Sequence, residues 1–373
     1  MGRVAYLVMV LLLTACFAGD EQTLVASSPV TVASRMGAAP DPGFKRVTEP
    51  RVFEFPQDHG AHPDFATEWW YFTGNLNDRR GQRLGYQLTL FRVGLKAGEP
   101  SEDSTWRAHQ LYMGHLAVTH VGRGEHLSSE RFSRAAMGLA GAQTVPFKVW
   151  LGDWTIYADA ASDIFPLRLQ ASDERIAIDL TLEKPDKPML LQGDRGYSRK
   201  GEGEGNASYY YSYTRLPSSG RIRFDEEEVE VEGASWFDRE WSSSALAPNQ
   251  AGWDWMALQL DDGRDLMFYR MRDFQGRAQP FSKGVLVDSE GGSRRLDLQN
   301  TRIEPIRFWT NDEGDRYPVG WRLLSEQEGL ELEIDAVIDD QQMDHAVRYW
   351  EGAVDVRGSV GGVGYLELSG YQR

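Results

Sequence analysis

Apolar and polar residues alternate with period two along many short stretches of this chain. Leu84-Gly85-Tyr86-Gln87-Leu88-Thr89-Leu90 is one, and Ile176-Ala177-Ile178-Asp179-Leu180-Thr181-Leu182 is another. Leu330-Glu331-Leu332-Glu333-Ile334 and Tyr365-Leu366-Glu367-Leu368 continue the pattern toward the C-terminus. Successive side chains of a strand point to opposite faces, so this period predicts strands with one buried face. Turn formers separate the runs, among them Asp262-Gly263, Glu290-Gly291-Gly292 and Pro217-Ser218-Ser219-Gly220. No segment sustains a helical period. The prediction is an all-β protein of antiparallel barrels or sandwiches.

The pattern contains a candidate repeat. Trp69-Trp70-Tyr71 leads through Leu76-Asn77-Asp78 to Gly81 and then Phe91-Arg92. Trp253-Asp254-Trp255 leads through Leu260-Asp261-Asp262 to Gly263 and then Tyr269-Arg270. Each reads as an aromatic strand, a polar turn and a returning strand that ends in an aromatic-Arg pair. A duplicated barrel-like unit fits this, with domains expected over residues 46–218 and 219–373 and a boundary near Pro217 to Gly220. Two unrelated hairpins with common turn residues remain the plainer alternative.

The N-terminus has a different character. Arg3 precedes an apolar run from Val4 to Leu13, the layout of a secretory signal. That run is shorter than the roughly 20 residues needed to span a bilayer. It ends in Leu13-Thr14-Ala15-Cys16, which resembles the lipobox of bacterial lipoproteins. The expectation is a signal peptide over 1–15, lipidation of Cys16 and a flexible, Ala-, Ser-, Gly- and Pro-rich tether over 16–45. Phe17 rather than Asp follows the cysteine, which favours the periplasmic face of the outer membrane. Cys16 is the one cysteine in the chain, so an acylated Cys16 leaves no thiol for a disulfide, a thiolate metal site or a nucleophile.

Composition changes the picture little. The formal net charge is -16, which disfavours nucleic acid as a partner. Glycine supplies 38 of 373 residues and aromatics 12%, in keeping with many turns and an aromatic interior.

Three segments could carry chemistry. Asp58-His59-Gly60-Ala61-His62-Pro63-Asp64 runs into Glu68-Trp69-Trp70-Tyr71-Phe72. His59 and His62, with Asp64 or Glu68, are candidate zinc ligands by residue type, although Pro63 prevents a helix that would align the two imidazoles. The plainer reading is that these groups cap the incoming strand. On a strand, Trp69 and Tyr71 face one way and Trp70 and Phe72 the other. In Trp236-Phe237-Asp238-Arg239-Glu240-Trp241, the residues Trp236, Asp238 and Glu240 share a face and Arg239 takes the other. A carboxyl beside an indole in an apolar cavity keeps its proton, as a general acid must. A structural ion pair is the alternative. Alternate tyrosines of Tyr209-Tyr210-Tyr211, taken as Tyr209 and Tyr211, and the pair Trp253 and Trp255 are expected to line a ligand cavity. No GxSxG elbow, P-loop or dinucleotide fingerprint is present.

These motifs resemble the AttH and carotenoid 1,2-hydratase family. The resemblance rests on His62-Pro63-Asp64 with Glu68-Trp69-Trp70-Tyr71-Phe72-Thr73-Gly74, on Tyr209-Tyr210-Tyr211-Ser212, and on Trp236-Phe237-Asp238-Arg239-Glu240-Trp241-Ser242. Tyr349-Trp350-Glu351-Gly352 and Gly364-Tyr365-Leu366-Glu367 complete it. It implies two tandem lipocalin-like, allene-oxide-cyclase-like β-barrels. It also implies Asp238 as the acid of an alkene hydration, with Trp236, Glu240 and Trp241 around the substrate and no cofactor. Arg239-Glu240-Trp241 is similar to the secreted AttH branch, whose members are often encoded beside ABC-transporter permeases. The functional expectation is therefore a lipid-anchored protein of the cell envelope that binds a hydrophobic lipid or isoprenoid and works with a transporter. A hydro-lyase is the second expectation and a metal-dependent hydrolase the third.

Overall fold

The computed structural model describes residues 42–98, 109–159, 163–244 and 246–372, with the backbone of 30–31. Cys16, the signal segment and most of the tether lie outside the described residues. Within them there is no α-helix, and three single turns of 3-10 helix are the only helical elements. The chain is all-β, in two antiparallel sheets that each curl toward a barrel.

The first sheet comprises β1 (Thr67–Asp78), β2 (Arg83–Gly94), β3 (Gln110–His120), β4 (Glu125–Arg134), β5 (Ala140–Gln143), β6 (Lys148–Leu151), β7 (Trp154–Ala158), β8 (Leu167–Ser172), β9 (Ile176–Leu182), β10 (Ala207–Phe224) and β11 (Glu227–Ser242). Its spatial order is β4-β3-β2-β1-β11-β10-β9-β8-β7-β6-β5. The second holds β12 (Gly252–Leu260), β13 (Asp265–Arg272), β14 (Lys283–Val287), β15 (Ser293–Asp297), β16 (Arg302–Thr310), β17 (Arg316–Ser325), β18 (Leu330–Ala336), β19 (Val347–Gly358) and β20 (Gly362–Leu368). Its order is β15-β14-β13-β12-β20-β19-β18-β17-β16. Both follow one plan: a four-strand meander opens the sheet, and its first strand pairs with the last. The two aromatic hairpins singled out above open their respective sheets as β1–β2 and β12–β13.

The boundary expected near Pro217 to Gly220 is misplaced. Those residues lie inside β10, paired with β9 on one side and β11 on the other. Because β11 pairs with β1, both β10 and β11 belong to the first sheet. The chain crosses to the second sheet between Ser242 and Gly252. The turn-like composition instead serves a bulge between Tyr213 and Leu216 and a Gly220 at φ +150°. Bulges recruit the same residues as turns because both bend the backbone away from regular extension.

Each sheet encloses its own core. Trp70, Phe72, Leu88, Leu116, Trp154, Ile178, Tyr211 and Phe237 are buried together in the first. Met256, Phe268, Trp321, Leu332, Trp350 and Leu366 are buried together in the second. Both interiors are filled by side chains. A third apolar layer joins the sheets: Tyr71, Tyr210 and Trp236 pack on Trp255, Met267, Tyr269, Ala353 and Tyr365. The central strands are thus buried on both faces, one toward their own core and one toward the other sheet. Polar contacts reinforce this joint. Asp265 of the second sheet is fully buried and pairs with Lys187 and Arg215, each at 2.6 Å.

Candidate functional site

A cleft of about 970 Å³, counting its open mouth, lies at this joint rather than inside either barrel. It is formed by the outward faces of β1, β10 and β11 from one sheet and of β12, β13, β19 and β20 from the other. Trp69, Tyr71, Tyr210, Trp253, Trp255 and Tyr269 give it aromatic walls. Asp238, Glu240, Glu351, Glu367 and Lys200 supply the charge. The alternation expected for β1 holds, with Trp70 and Phe72 in the core and Trp69 and Tyr71 toward the cleft.

Asp238 is held by three donors. The Tyr210 hydroxyl donates to one oxygen, while Ser212 and Trp236 donate to the other, Trp236 from 2.7 Å. Trp255 Nε1 donates in turn to the Tyr210 hydroxyl at 3.2 Å. These bonds favour the anion, yet burial outweighs them and, with the nearby Glu240, pushes the Asp238 pKa up to about 7. Trp236 is packed behind the aspartate, on the same strand face, rather than forming the cleft wall itself.

The opposite wall repeats this theme. Trp253 Nε1 donates to Glu367 at 2.8 Å, and burial pushes the Glu367 pKa up to about 7 despite that bond. Glu351 is fully buried, and burial beside Glu367 holds its carboxyl well above the usual range. Lys200 lies 3.1 Å from Glu240 and 4.1 Å from the centre of the Tyr269 ring. Burial works against its charge, but Glu240 and Tyr269 outweigh this and raise its pKa. The cleft therefore combines proton donors poised near neutral pH with aromatic faces that stabilise a cation.

Other expected site residues face away from the cleft. Tyr209 and Tyr211 point into the first core, and Tyr210 is the cleft residue. Residues 209 and 211 share a face, and strand pairing turns that face inward. Trp241 is likewise inside, stacked on His62 with ring centres 3.8 Å apart. Glu240 and Asp238 line the cleft, whereas Arg239 points inward and pairs with Glu68.

His59 and His62 join that inward network. Glu68 is fully buried between the guanidinium groups of Arg92 and Arg239. His62 Nδ1 lies 3.1 Å from Arg239 Nη2 and 3.3 Å from Glu68 Oε2, and its Nε2 lies 3.0 Å from Asp58. His59 meets the Tyr211 hydroxyl at 2.6 Å, and burial, aided by Arg239, pushes its pKa down to about 3. Of the two candidate carboxylates, Glu68 is taken by the arginines and Asp64 is largely exposed and paired with Lys45 at 2.6 Å. Among the described residues, no group of three or more His, Cys, Asp or Glu side chains could hold a metal ion.

Glu351, Glu367, Lys200 and Tyr269 received no role from the sequence. The two glutamates had one signal: each is an acid on the same strand face as buried aromatics, Glu351 beside Tyr349 and Glu367 beside Tyr365. Lys200 sits in an irregular stretch and had none.

Comparison with known proteins agrees with this architecture. A family model described as AttH-like matches residues 46–371. The crystal structure of an AttH-type protein from Nitrosomonas europaea superposes with a TM-score of 0.78 at 36% identity, covering 88% of this chain and 100% of that one. Kievitone hydratase from Nectria haematococca shares the fold with a TM-score of 0.65 at 13% identity, over 92% of this chain and 98% of its own. CghA, crystallised with Sch210972, gives 0.54 at 15% identity, over 88% and 96%. No curated protein sequence matches this chain. Two curled antiparallel sheets on one plan, joined across an aromatic and acidic cleft, together with the match over residues 46–371, place this chain in the AttH-like family.

Proposed function

We propose that the cleft binds a hydrophobic small molecule of lipid or isoprenoid class and that Asp238 transfers a proton to it, in chemistry of the hydro-lyase type. The observation that carries this reading is a buried carboxyl with a pKa near 7 in an aromatic cleft. The Asp238 proton forms a new C–H bond with the π electrons of an alkene. The neighbouring carbon becomes a tertiary cation, sheltered by indole and phenol faces. A water oxygen then forms the C–O bond and releases a proton. The fold shared with kievitone hydratase supports this direction. The step calls for no cofactor.

The test uses the full chain with lycopene, an acyclic carotenoid. The parent is expected to yield a tertiary alcohol with oxygen from labelled water, and Asp238→Asn to yield none while keeping its fold. Full turnover by that variant refutes the assignment. A carrier without catalysis is the second reading, favoured by the three hydrogen bonds that already occupy both Asp238 oxygens. A co-purifying lipid seen by native mass spectrometry, with no turnover, selects it. In either case lipidation at Cys16 would keep the cleft beside a membrane and within reach of a transporter. Radiolabelled palmitate incorporation that survives Cys16→Ser rules the anchor out.

A further inference from the structure

The cleft continues into a chain of hydrogen bonds that alkene protonation leaves unused. Tyr349, in the cleft wall, meets His115 Nδ1 at 2.7 Å across the two sheets. His115 Nε2 lies 3.0 Å from Glu130 Oε1. Glu130 also accepts the backbone N–H groups of Ala346 at 3.1 Å and Val347 at 3.3 Å. Backbone N–H groups can only donate, so Glu130 is an acceptor on both oxygens. Burial alone would raise its pKa, but these bonds hold it below the usual carboxylate range.

The carboxylate fixes the polarity of the chain. His115 carries its proton on Nε2 and donates it to Glu130, which leaves Nδ1 to accept from the Tyr349 hydroxyl. The Tyr349 oxygen then offers its lone pairs toward the cleft. Two residues along the same strand face, Glu351 lies fully buried in the cleft wall against the Tyr71 and Tyr349 hydroxyls, with no well-formed hydrogen bond to either carboxyl oxygen. The Tyr71 hydroxyl, in the same wall, faces Glu351 and likewise makes no well-formed hydrogen bond. Buried polar atoms nearly always make well-formed bonds, so this loosely paired cluster points to a polar ligand atom held between its members. His115 is itself fully buried, with the Phe91 ring at 5.5 Å and the His345 ring at 6.1 Å.

We propose that Glu351 and Tyr71 hold the water that is added, and that Tyr349, His115 and Glu130 form the relay that removes its proton, opposite Asp238. This rests on the hydration reading of the cleft. As the water oxygen bonds to the cationic carbon, its proton passes to the Tyr349 oxygen. The Tyr349 hydroxyl proton passes to His115 Nδ1. The resulting imidazolium is balanced by the Glu130 carboxylate at the far end. One proton has then left Asp238 and one has reached His115. Exchange with solvent resets both groups, and the net reaction consumes one water per double bond. Tyr349 touches the reacting water, while His115 and Glu130 act through it as positioning residues.

The test has two arms on the full chain. In ¹⁵N-histidine NMR, the signals lost in His115→Gln should show a proton on Nε2, and Tyr349→Phe should move the Nδ1 resonance. A proton on Nδ1, or no response to Tyr349→Phe, overturns the relay. With lycopene, Tyr349→Phe and His115→Gln should each lower kcat by on the order of 100-fold at unchanged KM. Unchanged kcat in both variants overturns the relay alone. Lycopene left unhydrated by the parent overturns the hydration reading on which the relay rests, and the NMR arm separates these failures.

Discussion

Replacing Asp238 by Asn should make the protein more stable at alkaline pH while abolishing its chemistry. The ordinary Asp pKa of 3.8 rises to about 7 in the folded chain. At about 1.4 kcal/mol per pH unit, the folded anion is disfavoured by roughly 4 kcal/mol. The sign follows from proton counting. Below about pH 4 the residue is protonated in both folded and unfolded chains, and no penalty exists. Between about pH 4 and 7 the folded chain binds more protons, so stability falls as pH rises. Above about pH 7 the full penalty applies. The amide removes the charge but accepts poorly where Tyr210, Ser212 and Trp236 all donate, a loss of about 2 kcal/mol. At pH 8 the variant should therefore gain about 2 kcal/mol, or about 4–8 °C in Tm for a unit of this size. At pH 4 it should gain nothing. Urea denaturation at both pH values measures the difference. A variant less stable than its parent at pH 8, or a difference independent of pH, would show that the aspartate is a structural anchor.

Other expectations follow from the same geometry. Glu68→Gln leaves Arg92 and Arg239 buried without their shared anion, and should cost about 3–5 kcal/mol in urea denaturation at pH 7; a loss below 1 kcal/mol contradicts the network. Burial opposes the Glu68 anion, but Arg92 and Arg239 hold its pKa well below normal. Its contribution should therefore be present above the ordinary Glu range and vanish as acid titration passes through the folded pKa. Tyr210→Phe removes a donor from Asp238 and should raise that carboxyl's pKa in a ¹³C NMR titration, whereas Tyr211→Phe should leave it unmoved; equal responses would contradict the assignment of faces. Gly85→Val adds bulk where even a Cβ would sit 2.9 Å from Ala353 Cβ and the Tyr365 hydroxyl of the other sheet. It should cost about 1–3 kcal/mol and widen the joint, read as faster amide exchange in the central strands; parent-like exchange would mean the sheets yield freely there.

Much of the fold was legible because strand alternation is local. Period-two runs announced the strands, and the spacing of Trp236, Asp238 and Glu240 placed them on one face with Arg239 opposite. The paired aromatic hairpins marked the start of each sheet. Local spacing establishes that residues i and i+2 share a face, but not which face looks inward. That choice belongs to strand pairing, and it turned Tyr209 and Tyr211 into the core and Tyr210 toward the cleft. It also absorbed Pro217 to Gly220 into a bulged strand instead of a domain boundary.

What the chain settles by itself is thus its β character and the residues that travel together on a face, with its duplicated plan left as a candidate. What only the tertiary structure decides is where those faces meet. The cleft forms between the outer surfaces of two sheets, and His115 and Tyr349 meet there across 234 residues of sequence. A lone histidine on an apolar strand gives no local sign of such a partner. Its chemistry comes from burial and from a carboxylate on a neighbouring strand, and both exist only once the sheets have closed on each other.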